Sequence, residues 1–213
     1  MIKDASKPFL WKTGHLEFDP ILIAYEAPAS GDTGNMIYVN QYDNLEKLKA
    51  GDWADFIMIP RSFNSRNEGS PTFEFVSFTG NIRTSTFTMF YEYQNVTGPT
   101  HLAKGKYSFN TKKGFKWEPY PAKANDIFLK FGLLDYFGSR SKFMYGGHYL
   151  YLMEATKYNM NTTELENHIV LCDSGMVPLA LIPFKLPEGS KNITNYFSPK
   201  IKRIGLQTFA ITF

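Results

Sequence analysis

PTFEFVSFTGNIRTSTFTMFYEY, residues 71–93, contains two runs in which apolar and polar side chains alternate, and the dipeptide Gly80-Asn81 separates them. Alternation with a period of two residues is typical of a β-strand with one buried face. Because glycine adopts positive φ angles without a steric penalty and asparagine tolerates them, the dipeptide predicts a two-residue hairpin turn. Thr79 and Ile82 would close this turn.

Such a turn sets the pairing of the two strands, with Val76 opposite Ser85 and Thr72 opposite Met89. One face of the hairpin is then strongly apolar and is predicted to be core: Val76, Phe78, Phe87, Met89, Tyr91 and Tyr93. The other face carries Phe73, Phe75 and Ile82 among serines and threonines. Because this second face is half apolar, we expect it to be covered, either by another layer of the protein or by a neighbouring subunit.

The composition is that of a globular β protein. The chain has 213 residues, of which 43% are hydrophobic and 16% aromatic, and its formal net charge is +3. A chain of this size can bury a large core. The nearly balanced charge means that the overall field does not by itself favour nucleic acid or an anionic membrane.

The ends and the single cysteine exclude several classes of protein. Cys172 lies in an apolar run and is expected to be a buried thiol, and one cysteine cannot form an intrachain disulfide. The first residues lack the apolar stretch of a signal peptide, and no apolar run is long enough to span a membrane. The sequence therefore predicts a protein made in a cytosol, without secretion by a signal peptide and without a membrane span.

Further strands and short helices are predicted along the chain from apolar runs and turn residues. Asp43, with Glu46 three residues on and Gly51 as a stop, predicts a short connector helix. A second helix is predicted over residues 126–136, and at most a turn or two over 162–167. Strands are predicted at residues 21–26, 36–39, 56–59, 106–110, 115–118, 147–154, 169–172 and 176–182. The fold class is thus all-β with one or two connector helices, most simply an antiparallel β-sandwich.

The N-terminal segment looks different from the rest. Residues 1–19 hold Phe9 and Trp11 in an apolar cluster between lysines, which predicts an arm that docks on another surface. Residues 20–213 show neither an internal repeat nor a linker, so a single β domain is predicted there. The terminal Phe213 is expected to be buried.

Catalytic, metal and cofactor motifs are absent from the sequence. The four histidines, at positions 15, 101, 148 and 168, are not spaced as zinc ligands, and neither a nucleophile elbow nor a phosphate-binding loop occurs. The sequence therefore predicts no catalytic residue, no metal site and no cofactor. The acids Glu74, Glu92, Glu118 and Glu154 leave a glycan-binding or glycan-hydrolysing β domain as an alternative, with Trp117 and Tyr120 as the contacting rings.

Two basic stretches are interleaved with aromatic residues. In the first, Lys104, Lys106, Lys112, Lys113 and Lys116 surround Trp117 and its neighbours, and in the second, Lys191, Lys200, Lys202 and Arg203 surround Tyr196 and Phe197. Grooves that bind single-stranded nucleic acid combine such charges and rings. The other interpretation is that the lysines lie on the solvent side of strands whose aromatic residues face the core.

The segment from Phe75 to Arg83, an aromatic-rich strand followed by glycine and isoleucine and then another strand, resembles the middle of jelly-roll coat proteins of icosahedral viruses. The resemblance implies an eight-stranded jelly-roll sandwich that assembles through its loops and a docked N-terminal arm.

The leading hypothesis is a non-enzymatic structural protein of a virus or phage particle, located in the virion. Its expected partners are other copies of itself or other virion proteins, with at most a weak nucleic-acid contact. The candidate interface residues are Phe9, Trp11, Phe73, Phe75, Ile82 and Phe213. A glycan-binding domain and a nucleic-acid-binding domain remain as the second and third hypotheses.

Overall fold

The computed structural model describes residues 5–29, 31, 34–96, 100–121, 133–159, 161, 164–183, 200–205 and 208–212. The chain divides into two compact units. Unit 1 comprises Met1–Gly98 and Ala103–Pro121, and unit 2 comprises Pro99–Leu102 and Ala122–Phe213. The predicted division into a 1–19 arm and a 20–213 domain stays a prediction.

The first sheet of unit 1 is an antiparallel meander in the order β1-β2-β3-β4. Its strands are β1 (Ser6–Lys12), β2 (Ile21–Pro28), β3 (Asn35–Tyr42) and β4 (Asp55–Met58). The predicted strands at 21–26, 36–39 and 56–59 are confirmed.

A single short helix, α1 (Leu45–Ala50), connects β3 to β4. The Asn44 side chain accepts a hydrogen bond from the Lys47 N–H at the start of the helix, and Gly51, at φ 72°, ends it. The predicted connector helix is confirmed, with its cap one residue later than Asp43. Glycine is suited to the final position because a left-handed backbone carries no Cβ penalty there.

The second sheet of unit 1 is another antiparallel meander, in the order β5-β6-β7-β8. Its strands are β5 (Asn67–Ser77), β6 (Thr86–Gln94), β7 (His101–Asn110) and β8 (Gly114–Pro121). The predicted hairpin of residues 106–118 is confirmed, with Asn110 paired to Gly114 and Phe109 to Phe115.

Side chains from both sheets of unit 1 form one core. The first sheet contributes residues such as Leu22, Ile37 and Val39, and the second contributes Phe73, Phe87 and other aromatic residues. The alternation along each strand places these residues on the facing sides of the two sheets, as in sheet-on-sheet packing.

Unit 2 contains a four-stranded antiparallel sheet in the order β12-β11-β10-β9 and a two-stranded sheet of β13 and β14. The strands are β9 (Leu133–Tyr145), β10 (His148–Asn159), β11 (Glu164–Cys172), β12 (Pro178–Pro183), β13 (Lys200–Arg203) and β14 (Phe209–Thr212). Cys172 is buried, as predicted. The proline-containing strand β12 lies at the edge of its sheet, where a missing N–H disrupts no ladder.

Two predicted helical segments are strands where the structure describes them. Residues 126–132 lie outside the described residues, but 133–136 begin β9. Residues 164–167 belong to β11, with Leu165 paired to Tyr158 of β10. A short apolar run fits a helix and a strand equally well, and here pairing with β10 decides.

The two-residue turn predicted at Gly80-Asn81 is wrong. Strand β5 ends at Ser77 and β6 begins at Thr86, and the loop between them contains a 3-10 helix at Ile82–Thr84. Val76 is therefore opposite Phe87 instead of Ser85. The loop is wider because Ile82 is fully buried in the core instead of closing a turn.

Gln41 of β3 holds this loop against the first sheet. Its side-chain Oε1 accepts the Ile82 N–H at 2.8 Å, and its Nε2 donates to the Gly80 carbonyl at 3.3 Å. Arg83 of the same loop reaches the first sheet through its Nε, which donates to the carboxylate of Asp55 at 2.8 Å. The loop thus forms contacts with the opposite sheet instead of a tight local turn.

The prediction that the Phe73 side chain lies on the same face as Phe75 is also wrong, because the strand register shifts between these two residues. An extra residue in one strand rotates the following side chains to the other face. Phe73 is fully buried beside Phe87, with ring centroids 5.5 Å apart, whereas Phe75 is 54% exposed. The chain's own core therefore covers Phe73 and Ile82.

The all-β class with antiparallel sheets is confirmed, but a jelly-roll arrangement is not shown. A jelly roll pairs strands that are far apart in the chain. In each described sheet, the neighbouring strands are consecutive.

The variants Phe73→Ala and Phe75→Ala form a matched pair that tests the register shift between these two residues. We expect Phe73→Ala to reduce the free energy of unfolding by about 3–5 kcal/mol, because it leaves a cavity between the sheets. Phe75→Ala removes an exposed ring and should change it by less than about 0.5 kcal/mol. Urea unfolding measures both, and equal losses would contradict the assigned facing.

Gln41→Ala tests the loop attachment. The variant leaves the buried Ile82 N–H without its acceptor, which should lower the free energy of unfolding by about 1–3 kcal/mol. Asn95→Ala, at an exposed loop position, is the control and should unfold like the parent protein. An unchanged urea midpoint for Gln41→Ala would show that the two hydrogen bonds do not stabilise the fold.

Candidate functional site

Four connections of unit 1 lie at one end of its two sheets. Strands β1, β3, β5 and β7 run towards this end and the strands that follow them run away, because each sheet is an antiparallel meander. The bonds from Gln41 and Asp55 to the loop after β5 bring the ends of the two sheets together. We call this surface the loop end; it comprises residues 13–20, 43–54, 78–85 and 111–113 with the adjoining strand termini.

The loop end exposes an unusual number of large apolar side chains. Phe18 is 80% exposed, Leu16 66% and Phe115 60%. The full set is Leu16, Phe18, Leu45, Trp53, Phe56, Phe109 and Phe115. Single exposed apolar residues are common on protein surfaces, but a group on one surface indicates an interaction site.

The first half of this group is held together by contacts of the first sheet. The Leu45 N–H donates to the Glu17 carbonyl at 3.5 Å, which places the loop of Leu16 and Phe18 beside α1. After α1, the rings of Trp53 and Phe56 meet edge to face with centroids 5.1 Å apart.

Arg83 joins this half to the second sheet. Its guanidinium lies over the Phe56 ring, 5.8 Å from the centroid, and its carbonyl accepts from the Tyr107 hydroxyl at 3.0 Å. Tyr107 in turn stacks on Phe115, with centroids 6.1 Å apart, and Phe115 is paired with Phe109. The exposed apolar side chains of the two sheets are thus linked across the loop end through Arg83 and the buried ring of Tyr107, and we call this group the apolar row.

Asp55 orients Arg83 within this row. The Arg83 Nε donates to both carboxylate oxygens, at 2.8 and 3.0 Å, and Asn81 Nδ2 donates to the same group at 3.1 Å. Burial acts to raise the pKa of Asp55, but the hydrogen bonds from Arg83, Asn81 and the Phe56 N–H outweigh it, so the pKa lies below its usual value. A guanidinium held by its Nε and a ring face presents its terminal N–H groups in a defined direction.

The predicted interface residues do not come together on the surface. Phe9 and Trp11 are half-buried on β1, and the centroid of each ring lies 6.2 Å from the centroid of the Phe73 ring. Phe73 and Ile82 are core residues, Phe75 is exposed, and Phe213 lies outside the described residues. The predicted arm is thus partly a strand, β1, that packs against the core of unit 1.

The exposed row was missed because its members sit in connections, where the alternation of strands gives no signal. A usable signal exists: Leu16, Phe18 and Trp53 are large apolar residues in segments otherwise rich in turn and charged residues. Such residues neither favour turns nor reach a core easily.

Lys104, Lys106 and Lys116 of the first basic stretch lie on one face of the β7–β8 hairpin, with Lys112 and Lys113 in its turn, but acids on the same surface pair with some of them. Lys104 donates to Glu74 at 2.7 Å and lies over Phe90, and Lys116 donates to Glu118 at 2.7 Å. The remaining lysines, Lys106, Lys112 and Lys113, are exposed. Trp117 faces the other way, with its Nε1 donating to Ser62 Oγ at 3.1 Å.

The two rings of the glycan hypothesis are also separated. Trp117 packs among core residues and its ring fills the space beside Gly105, where a Cβ would lie 2.1 Å from the ring. Tyr120, three positions along β8, lies on the opposite face and is exposed, because successive residues of a strand alternate in direction.

A buried carboxylate contact lies at the other end of unit 1 and involves Glu92, one of the four acids of the glycan hypothesis, and Glu26, which the sequence did not single out. Glu26 of β2 accepts the Ser70 N–H of β5 at 3.0 Å, and Ser70 Oγ donates to Glu92 at 2.8 Å. Gly69 permits this approach, since a Cβ there would lie 1.7 Å from Glu26 Oε2. The contact ties the two sheets together.

Glu68 is the most buried acid of this region. Its Oε1 accepts from the Ser62 N–H at 2.6 Å and from Ser65 Oγ at 2.9 Å, and among the described residues its Oε2 has no hydrogen-bond partner. Burial raises the pKa of Glu68, against the opposing effect of these hydrogen bonds and of the Arg61 charge. The hydroxyl of Tyr91, which donates to Ser62 Oγ at 2.7 Å, lies beside Glu68 as well.

Within the described ranges, no three His, Cys, Asp or Glu side chains are grouped so that they could hold a metal ion. Among those same residues, no helix has the length and apolar character needed to cross a membrane.

Comparison of the chain with protein-family models, curated proteins and solved structures finds no match.

Glu68→Gln tests the buried acid through pH. Glu68 has a pKa raised on folding, so its ionisation opposes the folded state. The free energy of unfolding of the parent relative to that of the variant should therefore be highest below about pH 4, the ordinary pKa of a glutamate. It should fall as the pH rises through the higher pKa of Glu68 in the folded protein.

Urea unfolding of both proteins between pH 3 and pH 8 measures this difference. Glutamine keeps an oxygen that can accept from Ser62 and Ser65, so the variant serves as the uncharged reference. A difference between the two proteins that does not change with pH would show that Glu68 does not carry a raised pKa.

Proposed function

We propose that the chain is a non-enzymatic structural protein that assembles, through the loop end of unit 1, in a virus or phage particle. The observation that carries this proposal is the apolar row, the seven exposed large apolar side chains in and beside the four connections of the loop end. The partners are other copies of the chain or other proteins of the particle.

The composition of the row supports a protein-binding role. Tryptophan, phenylalanine and arginine are enriched at protein interfaces, and the residues that contribute most to binding energy are often tryptophan, tyrosine and arginine. Trp53, Phe56 and Arg83 stand together at the centre of the row. Aromatic rings lose few rotatable bonds on binding, so their burial is effective.

The rigidity of the loop end supports the same role. The loop after β5 is bonded to Gln41 and Asp55, and the loop before β2 is bonded to α1. A surface that is already ordered loses little conformational entropy when a partner binds. The connections are therefore suited to repeated, identical contacts, as an assembly requires.

The particle itself is proposed from the sequence resemblance to jelly-roll coat proteins. That family assembles through loops at the ends of its strands, which fits the position of the exposed row. The jelly-roll connection of strands is part of the proposal and rests on the resemblance alone.

Replacing Phe18 and Phe115 by serine tests the assembly. The double variant Phe18→Ser, Phe115→Ser removes two exposed rings that would be buried in the assembly, and should weaken association at least about tenfold. Val96→Ser, at an exposed apolar residue of the opposite end, is the matched control and should associate like the parent.

Sedimentation velocity over a wide concentration range measures the association, and mass spectrometry of purified particles locates the protein. A parent chain that stays monomeric at every concentration and is missing from the particles would contradict the proposal.

A further inference from the structure

We propose that the partner at the loop end is a second copy of the chain, related by a two-fold axis so that the acidic side of each loop end meets the basic side of the other. This inference rests on the proposed function, because it names the partner of the same surface. It is drawn from the distribution of charge along the apolar row and from the exposed area.

One side of the row is acidic. Glu17 and Asp43 are exposed beside Phe18 and α1; Glu17 interacts with Lys49 and Asp43 with Lys47 at a distance, but the close ion pairs of both lysines are with other acids. In the neighbouring loop the charges of Lys12 and Asp19 offset each other. The two lysines of α1 are already neutralised: Lys47 is paired with Asp52 at 2.6 Å and Lys49 with Glu46 at 2.9 Å. The excess charge on this side is therefore negative.

The other side of the row is basic. Lys112 and Lys113 occupy the turn between β7 and β8, where both are exposed. Within the described residues neither forms an ion pair, whereas the nearby Lys116 is paired with Glu118 at 2.7 Å. The excess charge on this side is therefore positive.

The apolar row extends from the acidic side to the basic side. It runs from the loop of Phe18 and α1, through Phe56 and Arg83, to Phe115 at the foot of the basic turn. If a two-fold axis crosses the middle of this row, each apolar half meets the opposite half of the other copy. Each acidic side then faces a basic side, which is the self-complementarity that an isologous dimer requires.

The exposed area is sufficient for such a contact. With roughly 150–250 Å² for a large side chain, the seven apolar residues, which are 36–80% exposed, offer on the order of 700 Å². A standard interface buries about 800 Å² on each partner.

A charge-exchange experiment tests the two-fold contact. The acid-side variant is Glu17→Lys, Asp43→Lys, and the base-side variant is Lys112→Glu, Lys113→Glu. Each alone places like charges in contact and should raise the dimer Kd by roughly tenfold or more. An equimolar mixture should recover an affinity within about threefold of the parent, because both contacts in the mixed dimer are again between opposite charges.

The two variants control for net charge. The acid-side change moves the net charge of +3 further from zero, whereas the base-side change brings it closer to zero. A general charge effect would therefore weaken one variant and strengthen the other, while the proposed contact weakens both. Circular dichroism of each variant checks that the exposed substitutions leave the fold intact.

Sedimentation velocity with light scattering decides the outcome. Recovery in the mixture, with a mass of two chains, supports the inference. Recovery with a larger ring, or variants that associate like the parent, would overturn it. If the charge variants associate normally while Phe18→Ser, Phe115→Ser does not, the proposed function stands and the two-fold contact alone is wrong.

Discussion

The hydrogen bonds from the Gln41 side chain to the loop of Gly80 and Ile82 are the contact on which the arrangement of unit 1 depends. A carboxamide can accept from an N–H and donate to a carbonyl at once, so Gln41 replaces the hydrogen bonds that a tight turn would have made for itself. The loop can then place Ile82 in the core and Arg83 beside Asp55. An apolar residue in the same position would leave the Ile82 N–H buried without an acceptor, which is unfavourable.

A second buried polar contact joins the two sheets at the other end of unit 1. Glu26 accepts the Ser70 N–H, so each end of the two sheets is joined by a buried side chain that bonds to the backbone of the opposite sheet. Apolar packing between the sheets is strong but not directional, whereas these bonds specify one relative position. The loop after β5 is consequently held against the first sheet, where Arg83 lies over the exposed Phe56 ring.

The exposed row matters because its location does not follow from core formation. Residues such as Phe18 and Trp53 contribute little to packing within unit 1, yet exposing them to water is unfavourable. Their burial against another molecule recovers this free energy, and the polar groups around them limit which molecule fits. Phe9 and Trp11 differ from them, because their rings already contact Phe73 within unit 1.

The sequence by itself determined the class of fold, most strands, the connector helix before Gly51 and the buried state of Cys172. These features follow from local alternation, turn residues and capping, which act within a few positions of the chain. Only the tertiary structure decided the register at Val76, the facing of Phe73 and the burial of Ile82. The burial of Ile82 depends on Gln41, far away in the chain, and the strand state of residues 133–136 likewise depends on pairing with β10. The candidate site is of the same kind, because Leu16, Phe56 and Phe115 become one surface only when four separate connections meet at one end of two sheets.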